Sequence, residues 1–164
     1  NKPKSLWLSL TDFVHKNRII IPFYDEESNI VHYQSRQVLD NDDKPKYLSK
    51  INSTKSIFNI NRVDKELDDL FIFEGPIDSF FVKNGVAVAG IQENSDNVFS
   101  TLQSEQLNKL WVFNKIWVLD SQWLDTASYL KTKKLLDQNE TVFIWPENIG
   151  KKFKDFNDSS IIIL

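Results

Sequence analysis

Four acidic residues stand just beyond apolar runs, and their placement is the first sign of chemistry in this sequence. Glu74 closes Leu70-Phe-Ile-Phe73, Asp78 follows four residues later across Gly75-Pro76, and Asp120 closes Lys115-Ile-Trp-Val-Leu119. Asp155 follows the last apolar run, Thr141-Val-Phe-Ile-Trp145, after a polar stretch. Carboxylates gathered at one sheet edge repel one another unless a cation or a proton joins them. Such clusters bind Mg²⁺ through few protein oxygens and leave its other positions to water and phosphate. That chemistry suits phosphoryl or nucleotidyl transfer, with metal ions activating the attacking oxygen and neutralising the leaving pyrophosphate. Taken alone, Glu74 and Asp78 read equally well as a solvated loop acid and a first-turn helix residue. No Gly-rich phosphate loop, Ser-His-Asp order or His-based metal motif competes, and His15 and His32 are isolated and read as structural.

A second constellation is basic. Lys44, Lys46 and Lys50 bracket Tyr47-Leu48, and with Arg18 and Arg36 they form a candidate phosphate-binding group beside an aromatic ring. Solvated hairpin and loop residues are the competing reading. Residues 1–65 hold 11 Lys/Arg against 8 Asp/Glu, and residues 66–164 hold 9 against 15, which gives +3 and −6 and sums to the net −3 of the chain. A basic half before an acidic half suits a protein that holds a polyanion with one part and metal ions with the other.

The elements that must position these residues follow from periodicity. Lys4 to Lys16 has the mixed pattern of a short helix. Arg18–Tyr24 and Ile30–Val38 read as two strands of an antiparallel hairpin around a turn at Asp25–Asn29. Residues 52–64 read as a connecting segment. Leu70–Phe73 reads as a buried strand, and Pro76 suits the first turn of a helix from Ile77 to about Asn84. Val86–Ala89, Lys115–Asp120 and Thr141–Trp145 read as further strands, with helices over Gln103–Phe113 and Trp123–Gln138 between them. Strands alternating with helices imply an α/β fold with a mostly parallel, helix-flanked sheet, whose carboxyl edge is where such sheets place ligands. The expected division is a small mixed α/β basic subdomain over 1–65 and an α/β catalytic unit over 66–164.

With 41% hydrophobic residues over 164 positions, the chain has the material for a substantial core. No run of 18 apolar residues and no signal peptide is present, so no membrane partner is expected and a cytoplasmic setting is. The absence of Cys excludes disulfides and Cys-bound zinc within these residues. The chain starts at Asn1 and has no Met, which suggests a piece of a longer protein, and Ser159–Leu164 reads as a truncated apolar helix or strand.

The ordered motifs resemble a known family. Glu74-Gly-x-x-Asp78, Asp120 at a strand end, and Lys154-Asp-Phe-Asn-Asp158 look like the Toprim domain of DnaG-type primases, topoisomerases and related nucleases. Before it, Arg18-Ile-Ile-Ile-Pro-Phe-Tyr-Asp25, Tyr33-Gln-Ser-Arg36, Lys46-Tyr-Leu-Ser49 and Ile57-Phe-Asn59 resemble the basic subdomain that precedes Toprim in bacterial and phage primases, and the ending is closest to tailed-phage versions. The resemblance implies a core that makes short RNA primers on single-stranded DNA from ribonucleoside triphosphates. It implies that Glu74, Asp78 and Asp120 are catalytic, and that Glu74, Asp78, Asp120 and Asp155 hold Mg²⁺ or Mn²⁺, as two ions. Arg18, Arg36, Lys46 and Tyr47 would then contact template or nucleotide, and a replicative helicase would be a partner. The family's zinc ribbon is not among these residues. One departure is visible: the family's middle Asp-x-Asp is here Asp120-Ser-Gln122, and an amide is a poorer Mg²⁺ ligand than a carboxylate. Asp125 lies five residues after Asp120. Two other readings stand beside the primase one: a Toprim nuclease or topoisomerase fragment, and a non-catalytic module that binds single-stranded DNA.

Overall fold

The computed structural model describes residues 5–39, 45–90 and 100–160. Lys44 and the apolar end 161–164, both named above, lie outside the described residues.

The first half is an antiparallel sheet in the order β1-β2-β3-β4. β2 (Arg18–Tyr24) and β3 (Ile30–Gln37) form the expected hairpin, whose buried face is apolar on β2, with Ile21 and Phe23, and polar on β3, with His32 and Gln34 opposite them. β1 (Trp7–Ser9) pairs with β2 where a helix over 4–16 was expected. The apolar residues Leu6, Trp7, Leu8 and Leu10 remain substantially exposed, so no buried helical face organises that stretch, and the free edge of β2 takes it as a strand instead. β4 (Tyr47–Ser49) pairs with β3 and sets Tyr47 directly opposite Arg36.

The second half is a four-stranded, all-parallel sheet in the order β6-β5-β7-β8, from β5 (Asp69–Phe73), β6 (Gly85–Ala87), β7 (Asn114–Val118) and β8 (Thr141–Val142). Its connections contain α1 (Thr101–Lys109) and α2 (Thr126–Asp137), and β8 is followed by the short α3 (Glu147–Gly150) and α4 (Phe156–Ser160). α1 opens on a full capping box between Ser100 and Gln103, and α2 on Asp125, whose carboxylate accepts from the Ser128 amide at 3.1 Å. The helix expected over 77–84 is only a 3₁₀ turn, Asp78–Phe81. Asn84 (φ 58°) stops it in the left-handed region, and a Cβ on Gly85 would lie 2.7 Å from the Ser79 carbonyl oxygen, so the chain re-enters the sheet at once.

Residues 56–60, expected as a connector, are among the most buried in the protein. Ile57 and Phe58 are fully covered, and Phe58 forms an antiparallel bridge with Ala87 at the sheet edge. Two buried glutamines of α1 hold the neighbourhood together. Gln106 accepts from the Ile57 amide at 2.8 Å, and Gln103 donates to the Val88 carbonyl at 2.6 Å. One apolar cluster then joins the halves, with Ile21 and Phe23 of β2 packed with Phe58, Phe73, Ala87 and Val118.

Candidate active site

Each acid reaches the cleft by a different local device. Glu74 is the first residue beyond β5, and its carbonyl still accepts the Gly90 amide at 3.2 Å, so the strand's direction carries into the turn. Asp78 begins the 3₁₀ turn and folds back over Gly75. A Cβ there would lie 2.8 Å from Asp78 Oδ2, so the glycine leaves room for the carboxylate in this position. Asp120 lies two residues beyond β7. The strand end is pinned to the later chain, because the Ser121 amide donates to the Lys154 carbonyl at 2.6 Å and Ser121 Oγ donates to the Gly150 carbonyl at 2.7 Å. That tie brings Asp155 beside Asp120. Asp155 immediately precedes α4 and accepts from the Asp158 amide at 2.7 Å, and the ring of Phe156 seats the helix against Phe73, Phe143 and Trp145.

The acids share one cleft of about 290 Å³ whose opposite wall comes from the antiparallel sheet. Arg36, Lys46, Tyr47 and Gln34 form that wall. Arg36 Nη1 donates to the Tyr47 hydroxyl at 2.8 Å, and its guanidinium lies 5.2 Å from the ring centroid. Burial, moderated by Arg36, pushes the Tyr47 phenol up to about 12. Arg18 is elsewhere. It is 4% exposed, and its guanidinium is spent on the Ser35 hydroxyl and the carbonyls of Ser35, Pro45 and Lys46, so it braces β2 against the approach to β4 and does not line the cleft.

Charge in the cleft is unbalanced. Asp78 is pushed up to about 7, first by burial and then by the Asp155 charge, despite a 3.0 Å hydrogen bond from the Asn157 amide. Asp120 is pushed up to about 6, again by burial first, then by Glu74, with Lys154 opposing. Two lysines that sequence reasoning left without a role partly offset this. Lys131 of α2 meets Glu74 at 2.9 Å with both side chains largely covered, and Lys154 lies 3.1 Å from Asp125 and 3.5 Å from Asp120. Their only signal in the sequence was position: Lys131 lies on the helix after Asp120, and Lys154 immediately precedes Asp155.

Among the described residues no group of three or more acids or histidines stands close enough to cage a metal ion. Mg²⁺ does not need such a cage, since one or two carboxylates and the phosphates of a substrate commonly suffice. The donor set fits that mode: carboxylates that raise one another's proton affinity are a site that a cation would relieve. Gln122 does not share in it. Its amide faces the backbone of Trp145, donating to the carbonyl at 3.3 Å and standing 3.4 Å from the amide nitrogen.

No protein-family model matches the chain. Among curated proteins, the DNA primase of Enterobacteria phage T4 is 30% identical over 146 residues, 88% of this chain. In sequence the chain is similar to DNA primases. The DNA primase of Mycoplasma genitalium is 35% identical over 88 residues. The fold agrees as well. The RNA polymerase domain of Mycobacterium tuberculosis primase DnaG superposes with a TM-score of 0.64 at 17% identity, covering 95% of this chain and 55% of that one. A primase domain from Pseudomonas aeruginosa gives 0.63 at 18%, covering 96% and 52%. The chain spans 39% of the length of the T4 protein and 14% of the Mycoplasma one.

Proposed function

We propose that this chain is the catalytic core of a DNA primase, which makes short RNA primers on single-stranded DNA by metal-dependent nucleotidyl transfer. The observation that carries the reading is the facing of two walls across one cleft: Glu74, Asp78, Asp120 and Asp155 at the carboxyl edge of the parallel sheet, and Arg36, Lys46 and Tyr47 from the antiparallel sheet. In this reading residues 1–65 supply the grip on nucleic acid and residues 66–164 the reacting edge. The two are functional halves although their cores are shared.

Divalent cations, Mg²⁺ or Mn²⁺ and two in number, would be held by Asp78, Asp120 and Asp155, and would polarise the reacting phosphate and neutralise the leaving pyrophosphate. The chain's own residues do the rest. Glu74, held by Lys131 at 2.9 Å, takes up the proton released by an attacking hydroxyl. Arg36 and Lys46 meet phosphates of the template or the ribonucleoside triphosphate. Tyr47, held by Arg36, offers its face to a base.

A replicative helicase is the expected partner. One structural relative is the primase fragment of the bacteriophage T7 primase-helicase protein, with a TM-score of 0.59. Work on single-stranded DNA inside a host cell is the setting proposed, and no helix among the described residues is long and apolar enough to cross a membrane.

The test is ribonucleotide incorporation on an annealed primer–template with Mg²⁺ or Mn²⁺, comparing the chain with Glu74→Gln and Asp120→Asn. Extension that requires the metal and falls at least about a hundredfold in both variants is expected. Cleavage of the DNA without extension would transfer the site to the nuclease reading. Binding of single strands that is indifferent to chelator, with no extension, would leave a binding module.

A further inference from the structure

Lys154 is the one cation among the cleft-lining residues that reaches the acid row from the acids' own side. Its ammonium is 3.1 Å from Asp125 Oδ2 and 3.5 Å from Asp120 Oδ2, and its side chain remains 51% exposed. The two contacts differ in kind. Asp125 cannot leave, because its other oxygen accepts the Ser128 amide at 3.1 Å and caps α2. Asp120 offers Lys154 only the longer contact, and it lies beside Asp155 in the cleft. The backbone of Lys154 is fixed by the Ser121 amide, so only the flexible stem can move.

The geometry points to Lys154 as a tethered, displaceable counter-ion of Asp120: Asp125 holds it at the cleft, it neutralises Asp120 while no cation is bound, and it turns its ammonium to the polyphosphate of a nucleotide when a divalent cation takes Asp120. This inference rests on the metal-dependent reading above and adds to it the order in which charges occupy the site. It also gives Asp125 a place: the carboxylate that follows Gln122 serves the cleft by holding a lysine and lies outside the cation-binding row. A cation can enter at Asp120 without leaving Lys154 unpaired, since the Asp125 contact persists. A freed ammonium is a compact point charge of the kind that meets phosphate oxygens.

The experiment is titration of the 164-residue chain with Mn²⁺ alone, followed by the electron paramagnetic resonance of free Mn²⁺, and then with ATP in the presence of saturating Mn²⁺. Lys154→Gln is expected to tighten Mn²⁺ binding roughly fivefold, the effect of one partly screened charge, and to weaken ATP by a similar factor. Lys154→Arg should keep the wild-type Mn²⁺ affinity. Asp125→Asn, which retains a good helix cap, should weaken Mn²⁺ because the lysine then leans wholly on Asp120. Lys152→Gln, exposed and outside the cleft, should change neither. Lys154→Gln with Mn²⁺ affinity within a factor of about two of wild type, or with weaker Mn²⁺ binding in both Lys154 variants, would overturn the counter-ion role while leaving the metal reading intact. A wild-type chain that binds no Mn²⁺ would remove both.

Discussion

Asp78 holds its proton up to about neutral pH because it is buried beside Asp155, and this has a measurable cost for the fold. An acid that binds its proton more tightly when folded contributes stability at low pH and loses it as pH rises between its ordinary value and its folded one. For Asp78 that window runs from 3.8 to about 7, and for Asp120 from 3.8 to about 6. Asp125 and Glu26 are held below their ordinary values of 3.8 and 4.5, so their contributions change only below about pH 5, whereas His32, lowered by burial from 6.5 to about 4, opposes part of the decline between those two values without cancelling the two aspartates. The melting temperature in chelator should therefore fall from about pH 5 to about pH 8, and Mg²⁺ should restore part of it at the upper end. Asp78→Asn should flatten the decline and stabilise the chain at about pH 8 while abolishing primer extension, and a decline as steep as wild type would show that Asp78 is not its source. The arginines make a second contrast. Arg18→Ala strips the hydrogen-bond donor from several buried oxygens and should cost about 2–3 kcal/mol in urea unfolding, with DNA affinity of the folded protein unchanged. Arg36→Ala should leave stability nearly intact and reduce the salt slope of single-strand binding by about 0.7. A sequence shows a basic residue on a strand but not which face of the hairpin it occupies. Arg18 and Arg36 were alike on that evidence, and the pairing of Arg36 with Tyr47 separates them. The acids were legible because each follows an apolar strand, whereas Lys131 and Lys154 were not, since their partners lie 57 and about 30 residues away in the chain.

At the scale of elements, the parallel strands were readable wherever a run of β-branched and aromatic residues was bounded by a turn: β5 and β7 end within two residues of their runs, whereas of the strand expected over 141–145 only Thr141–Val142 pairs as β8. The stretches that differed are those where tertiary pairing overrides local preference. Pro76 and the acid after it suggest a helix start, but Asn84 and Gly85 must return the chain to β6, which leaves room for a single 3₁₀ turn. Residues 7–9 become a strand because β2 has an edge to offer. The turn after β7 carries the family's most conspicuous departure, and its reason is local: the Gln122 amide makes two contacts with the Trp145 backbone that join this turn to the end of the β8 segment. Asp at this position is one methylene shorter in reach and has no side-chain donor. Gln122→Asp, although it recreates the family pattern, should destabilise the chain by about 1–2 kcal/mol in urea unfolding and leave Mn²⁺ affinity unchanged. A gain in Mn²⁺ affinity would mean that position 122 turns into the cleft once it carries a charge.

For the whole molecule, the question is why a basic sheet and an acidic sheet stay at a fixed distance across a cleft that must admit charged ligands. Polar contact across the opening, where the Gln34 amide donates to the Ala89 carbonyl at 3.3 Å, is too slight to do it, because the charged side chains of both walls must stay free for the ligand. The apolar cluster behind the cleft does: Phe23 meets Phe58 edge-on at 5.2 Å, Phe58 lies 5.8 Å from Phe80 just after Asp78, and the Phe58 backbone bridges to Ala87. A segment that reads as a connector in sequence is therefore the hinge pin of the site, hidden there because its few apolar residues sit among polar neighbours. Its burial depends on both halves being present. If so, the halves share one cooperative unfolding unit. Phe58→Leu, which keeps the site apolar and removes only part of the ring, should cost about 1–2 kcal/mol and should lower native-state hydrogen-exchange protection equally for the amides of β2 and of β5 and β7. Loss of protection confined to the parallel sheet would mean that the antiparallel sheet folds alone, and the spacing of the two walls would then have to be set by the ligand between them.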